Sequence, residues 1–271
     1  KGFQSVSSSP VMTVMINAVR KAARGVQRDY GEVASLQVSQ KGPGDFVTAS
    51  DKKCERVLRE ELSKARPTYG FLGEEEGGSK GQDPDHRFII DPIDGTSNFM
   101  HALPYFALTV ALERKGEIVA GVTYNPVTDE LFHSEKGQGA FFNNKRMRVS
   151  SRRTLQDALI STNIPHMGQP KMHVLHRNQV AVLQARTTGI RVLGSTALEL
   201  AWVACGRLDA AWCDGLNAWD MAAGLLFVRE SGGFVAPLKG EGDPLHTNGY
   251  VAANADLLPE MKKALAEAEK I

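Results

Sequence analysis

Apolar residues first recur with a helical period after Ser9-Pro10, an N-cap followed by a first-turn proline. Val11, Met15, Val19, Ala22 and Val26 predict an amphipathic helix ending near Gly31. A second helix is expected from Ser50, with Cys54, Val57, Leu58 and Leu62 on one face and Asp51 in its first turn. From Phe106 to Val149 the period shortens to that of strands. Runs over 107–112, 117–124, 130–133 and 139–142, parted by Lys115-Gly116, Asn125-Pro126 and Lys136-Gly137, predict an antiparallel meander. After Ser150 the two periods alternate: strands near 158–162, 190–193 and 208–213, helices near 172–185, 197–204 and 221–230, and a closing helix from about Leu257. A meander followed by alternation predicts a layered α/β molecule. We expect an N-terminal α+β part, 1–150, and a C-terminal α/β part, 151–271, joined as one compact unit. No repeat or low-complexity linker divides the 271 residues.

Charge narrows the function classes. Lys and Arg number 32 against 31 Asp and Glu, a net charge of +1, so there is no bulk basic field to hold a nucleic acid backbone. Cys54, Cys205 and Cys213 have neither zinc spacing nor the numbers of a disulfide framework, which points to a reducing, cytoplasmic setting. The chain opens Lys1-Gly2-Phe3-Gln4 with no apolar run of signal length, and no segment reaches eighteen uninterrupted apolar residues; membrane association is not expected.

The chemistry is concentrated in three punctuated sites. Phe71-Leu72-Gly73-Glu74-Glu75-Glu76-Gly77-Gly78 puts acids after a short apolar strand. Phe88-Ile89-Ile90-Asp91-Pro92-Ile93-Asp94-Gly95-Thr96 does the same after a buried-looking strand, with Pro92 removing a ladder bond and Gly95 permitting a sharp turn. Trp219-Asp220-Met221-Ala222-Ala223-Gly224 places one acid at the start of an apolar helix. An acidic run is commonly a solvated turn and an Asp at a helix start commonly a cap; two acids around a proline after three large apolar residues make a poor turn and a good site. If these acids converge, two carboxylates about 4 Å apart repel by roughly 4 kcal/mol at an effective dielectric of about 20. They must then protonate or hold cations. The candidate ligands, with the Ile93 carbonyl and the Thr96 hydroxyl, are all oxygen donors and favour Mg²⁺ over Zn²⁺. A helix N-terminus at Gly95-Thr96-Ser97 would add amides for a phosphate. Metal-assisted hydrolysis of a phosphate monoester is the chemistry this suggests.

These motifs, with Val47-Thr48-Ala49-Ser50-Asp51 upstream, resemble the inositol monophosphatase family from end to end. The resemblance implies a five-layer α-β-α-β-α sandwich of the sugar phosphatase type, a homodimer, two or three Mg²⁺ ions and sensitivity to Li⁺. Carried over by position, Glu74, Asp91 and the Ile93 carbonyl would hold one metal, and Asp91, Asp94 and Asp220 a second. Glu74 with waters would hold a third. Thr96 paired with Asp51 would orient the attacking water, the Gly95 and Thr96 amides would hold the phosphate, and Glu75 would support the site from behind. Ser97-Asn98-Phe99-Met100-His101 resembles the inositol phosphate branch, where the sulfur-assimilation nucleotidases have lysine in place of Ser97. Cys213 stands where the family's substrate-contacting acid is usual, and Thr196 where a small apolar residue is common. Asp214, one residue on, should face the other way by strand alternation.

The resulting expectation is a phosphoric monoester hydrolase acting on a small phosphorylated polyol or sugar, with inositol 1-phosphate as the leading substrate. Histidinol phosphate, fructose 1,6-bisphosphate and a nucleotide 3′-phosphate are the alternatives in the same chemistry. Lys145-Arg146-Met147-Arg148 and Arg152-Arg153 form one basic cluster. It leaves open a role as a transcription antitermination accessory protein in contact with RNA polymerase, as in some bacterial relatives. His173 and His176 are expected as solvated imidazoles, and Gly137-Gln138-Gly139 as a hairpin turn.

Overall fold

A computed structural model describes residues 9–32, 38–42, 45–165, 167 and 169–271, the side chains of 38–42 and 45–47 excepted. In chain order, α1 (Pro10–Tyr30), the hairpin β1 (Val38–Gly42) and β2 (Asp45–Thr48), and α2 (Ala49–Ala65) precede β3 (Gly70–Gly73), β4 (Gly77–Ser79) and β5 (His86–Asp94). A short helix, α3 (Thr96–Met100), leads into β6 (Ala107–Arg114), β7 (Glu117–Asn125), β8 (Glu130–Glu135), β9 (Gly139–Phe142) and β10 (Lys145–Arg146). The remainder is β11 (Leu159–Thr162), α4 (Pro170–Gln184), β12 (Gly189–Arg191), α5 (Thr196–Ala204), β13 (Ala210–Asp214), α6 (Ala218–Glu230), β14 (Phe234–Pro237), β15 (Gly249–Ala253) and α7 (Leu257–Ala268).

Two sheets carry the architecture. The larger runs β10-β9-β8-β7-β6-β5-β3-β4 and the smaller β12-β11-β13-β15-β14. The period-two pleat splits the larger sheet's side chains between two cores. Phe88 and Ile90 join Met12, Met15, Leu58 and Leu62 under α1 and α2, while Ile89 joins the core of α5 and α6 on the other face. α6 lies between the sheets and is buried from Met221 through Val228, the all-round apolar surface a sandwiched helix needs. Outside the smaller sheet, α4 and α7 enclose Leu183, Trp212, Val251, Met261 and Leu265. The five layers are therefore helix, sheet, helix, sheet, helix. No helix among the described residues is long and apolar enough to cross a membrane.

Several expected bounds move. α2 starts at Ala49, one residue before the expected Ser50, with Thr48 as its N-cap, and Asp51 closes a capping box with it. The strand expected over 190–193 ends at Arg191. The pattern gave no sign of β14 and β15. β15 is Gly-Tyr-Val-Ala-Ala, buried throughout, so it shows neither alternation nor a run of large side chains. His173 and His176 are less solvated than expected: both are half-buried, and His176 stacks on Trp212 at 6.3 Å between ring centroids.

Candidate active site

β3 and β5 are parallel neighbours, so their C-terminal ends deliver Glu74 and Asp91 to one edge of the sheet, and the Glu74 amide donates to the Ile90 carbonyl at 3.2 Å. Strict alternation would send Asp91 and Asp94 to opposite faces. Instead the β5–β6 register slips: Asp91 pairs with Thr109 but Asp94 with Ala107, so that Pro92 and Ile93 together oppose the single Leu108. Pro92 lies inside this bulge, and the extra residue turns both acids to the same cavity. Gly95 follows at φ +94°, and a Cβ there would meet the Gly194 carbonyl at 3.0 Å, so only glycine makes the turn into α3.

One cavity of about 430 Å³ gathers Glu74, Asp91, Ile93 and Asp94 with Gly95 and Thr96, and from the other half of the chain Thr196, Cys213 and Asp220. Asp51 and Glu75 do not line it. Asp51 is fully buried behind Thr96, whose hydroxyl lies 3.3 Å from Asp51 Oδ1 and 3.1 Å from the Ile93 carbonyl, two alternative acceptors. The Glu75 amide donates to Glu55 Oε2 at 2.8 Å. Asp214 lines the cavity beside Cys213, contrary to strict alternation; it is the last residue of β13, where the ladder ends, and its carboxylate is held by Lys239.

Burial and crowding shape the charge of this floor. Desolvation pushes Asp91 well above the carboxylate range, and Glu74, Asp94 and Asp220 push it further, with Glu74 within hydrogen-bonding reach. Asp94 is pushed up to about 7 by burial, against the pull of the Ser195 hydroxyl and the Ala197 amide. Asp51 rises to about 6 for the same reason, with Thr48 pulling it back. No described residue lining the cavity is Lys, Arg or His.

The donor set suits a hard divalent cation: four carboxylates and a peptide carbonyl, all oxygen, in a cleft without a compensating cation. The carboxylates are not drawn into a finished shell, since among the described residues no three His, Cys, Asp or Glu side chains stand in metal-holding geometry. Three of the four are held by the protein instead. Asp91 Oδ1 accepts from the Ile93 amide at 3.0 Å, Asp94 Oδ2 from the Ala197 amide at 2.8 Å and from Ser195 Oγ, and Asp220 Oδ2 from the Asn217 amide at 2.7 Å.

Other polar residues, not singled out as site residues in the sequence, build the site. Glu55, fully buried on α2, accepts from the Glu75 and Glu76 amides and from Arg59, which also donates to the Gly77 carbonyl at 2.6 Å; together they hold the acidic turn. Gly73 is the close approach that admits Glu55, because a Cβ there would lie 2.0 Å from Glu55 Oε1. Asn98 Nδ2 donates to the Tyr105 and Leu193 carbonyls, both at 2.7 Å, and so ties α3 to the segment before α5. In sequence Glu55 reads as one more charge on a helix; its i, i+4 spacing to Arg59 is the only hint. The basic cluster is partly neutralised: Arg152 pairs with Asp209 at 3.4 Å and Arg153 with Asp256 at 3.8 Å.

Comparison with known proteins bears on the whole chain. The inositol monophosphatase family model matches residues 7–270. The chain is 49% identical over 260 residues to an inositol-1-monophosphatase of Rhizobium meliloti, covering 96% of this chain and 97% of that one. It is 37% identical over 265 residues to the Nus factor SuhB of Escherichia coli K12, covering 96% and 99%. The crystal structure of the extragenic suppressor protein suhB of Bartonella henselae superposes with a TM-score of 0.92 at 50% identity, covering 95% of this chain and 98% of that one. With sequence, fold and the edge of the sheet where the acids meet all in agreement, the chain belongs to the inositol monophosphatase family and is a phosphatase.

Proposed function

We propose that the cavity hydrolyses small phosphate monoesters with Mg²⁺ as its cation and inositol 1-phosphate among its substrates. One observation carries this reading: a cleft lined by Glu74, Asp91, Asp94, Asp214 and Asp220, with no cationic side chain among its described lining residues, cannot hold a phosphate dianion by itself. The family is generally metal-dependent. Glu74, Asp91 and the Ile93 carbonyl would hold one ion and Asp91, Asp94 and Asp220 a second; a third would rest on Glu74. When bound, the cations offset the charge of floor and phosphate and polarise the phosphoryl group.

The chain's own residues do the rest. The Gly95 and Thr96 amides hold the phosphate. The Thr96 hydroxyl orients the attacking water and, as it takes that water's proton, passes its own to Asp51 Oδ1, a carboxylate whose pKa of about 6 leaves it mostly ionised at neutral pH yet ready to accept. The relatives' name supports inositol 1-phosphate, while the thiol at Cys213 supports a broad range of alcohols. A homodimer, Li⁺ sensitivity and a cytoplasmic setting belong to this reading through the family resemblance.

The test is phosphate release by the purified chain from inositol 1-phosphate, glycerol 2-phosphate, histidinol phosphate, fructose 1,6-bisphosphate and a nucleotide 3′-phosphate. Exhaustive chelation should abolish turnover and Mg²⁺ restore it; full activity without metal overturns the cation-dependent reading. The 37% identity to a Nus factor supports a second reading, an accessory role in transcription that includes contact with RNA polymerase, checked by co-purification of the polymerase with the tagged chain.

A further inference from the structure

Toward its mouth the cavity changes character. Ile164, Met167 and Val192, exposed by 62%, 61% and 50%, all line it, with Pro165, Leu216 and Trp219. Eight large hydrophobic side chains are exposed among the described residues, and three of them line this one cavity. Single exposed apolar residues are ordinary, but a cluster continuous with a catalytic cavity marks a place where apolar ligand surface is covered.

Of the polar groups on the wall beside the lip, several are engaged or weak. Thr196 Oγ1 already accepts from Asn163 Nδ2 at 2.7 Å, the Asp214 carboxylate is held by Lys239, and Cys213 presents a thiol. A thiol is a weak hydrogen-bonding group beside a carboxylate. Against Ile164, Met167 and Val192 themselves a hydroxyl finds no partner, whereas an alkyl face covered there leaves water with a gain.

We propose that the lip formed by Ile164, Met167 and Val192 is a subsite for the alcohol half of the substrate, and that it extends the enzyme's range to phosphate monoesters of alkyl and alicyclic alcohols. The inference rests on the phosphatase reading of the same cavity. The occupant is the leaving alcohol because the lip continues the wall that begins at the carboxylates, so an ester with its phosphate on the floor projects its alcohol across these side chains.

The experiment measures kcat/KM with Mg²⁺ for n-alkyl phosphates from ethyl to hexyl, and for cyclohexyl phosphate, with glycerol 2-phosphate as reference. The n-alkyl alcohols are close in leaving-group acidity, so chain length changes contact and little else. Each added methylene should raise kcat/KM about threefold until the lip is covered. In Ile164→Ser/Met167→Ser the slope should flatten, and the ratio of hexyl phosphate to glycerol 2-phosphate should fall at least about tenfold. A flat series in the wild type, with glycerol 2-phosphate still turned over, overturns the subsite and leaves the phosphatase reading standing. A slope that survives the double substitution overturns it too. So does a flat series accompanied by a shift from dimer to monomer on that substitution, since the lip is then a contact between copies. Turnover of no ester overturns the phosphatase reading and the subsite with it.

Discussion

Asp94 is held by bonds that do not need its charge. The Ser195 hydroxyl and the Ala197 amide both donate to Oδ2, and a side-chain amide oxygen can accept both. Asp94→Asn should therefore keep the fold and lose a negative ligand. We expect a melting temperature close to wild type and activity lower by on the order of 10²-fold or more; wild-type turnover would make Asp94 a turn residue only. Glu199 is the opposite case, a carboxyl with no place in the cavity lining. It is fully buried on α5, with Ser161 and the Leu193 and Gly194 amides close enough to pull its pKa down, and burial still pushes it up to about 8. A carboxyl raised in the folded state favours the protonated form. Its stabilisation is complete below the unfolded value of 4.5 and is lost as pH rises toward 8. Glu199→Gln mimics the protonated form, so its stability advantage over wild type should widen from pH 5 to pH 8, by up to roughly 1.4 kcal/mol per pH unit. Parallel melting curves across that range would show that Glu199 does not titrate there.

At the scale of elements, the acids are legible because each closes a strand or opens a helix, and a strand of Phe88-Ile89-Ile90 ending in an acid is visible in one dimension. The bulge that turns Asp91 and Asp94 together is only hinted at by Pro92, since the slip is defined by β6 across the ladder. Glu55 is legible only as an i, i+4 partner of Arg59. It belongs to α2 by sequence and to the turn after β3 by function, and only the packing of α2 against that turn joins them. This makes Gly73 testable. Gly73→Ala forces a Cβ onto Glu55 and to within 2.8 Å of Arg59 Nη2, so it should cost about 1–3 kcal/mol and reduce activity by displacing the turn that carries Glu74. Gly73→Ala/Glu55→Asp, which shortens the intruding side chain, should recover part of both. Thermal melts and turnover of the two variants check this, and a fully active Gly73→Ala would sink it.

The whole molecule separates what a sequence can say from what it cannot. Local periodicity determined α1 and α2, whose side chains face one core at 3.6-residue spacing, and turn residues between β-rich runs marked the meander; neither needs a distant partner to declare it. Residue chemistry determined the oxygen-only, acid-rich character of the site, because carboxylates at strand ends are read without coordinates. Periodicity left β14 and β15 unmarked, because β15 is buried throughout and built partly of small residues, and β14 is a four-residue run closed by a proline, so neither shows alternation. The position of α6 between two sheets, which brings Asp220 from one half of the chain to Asp91 in the other, was decided by tertiary structure alone. So were the buried Glu55 and Ser195 that hold the acids, and the apolar lip above them. Their roles depend on which surfaces meet, and that is set by the packing of layers rather than by any spacing along the chain.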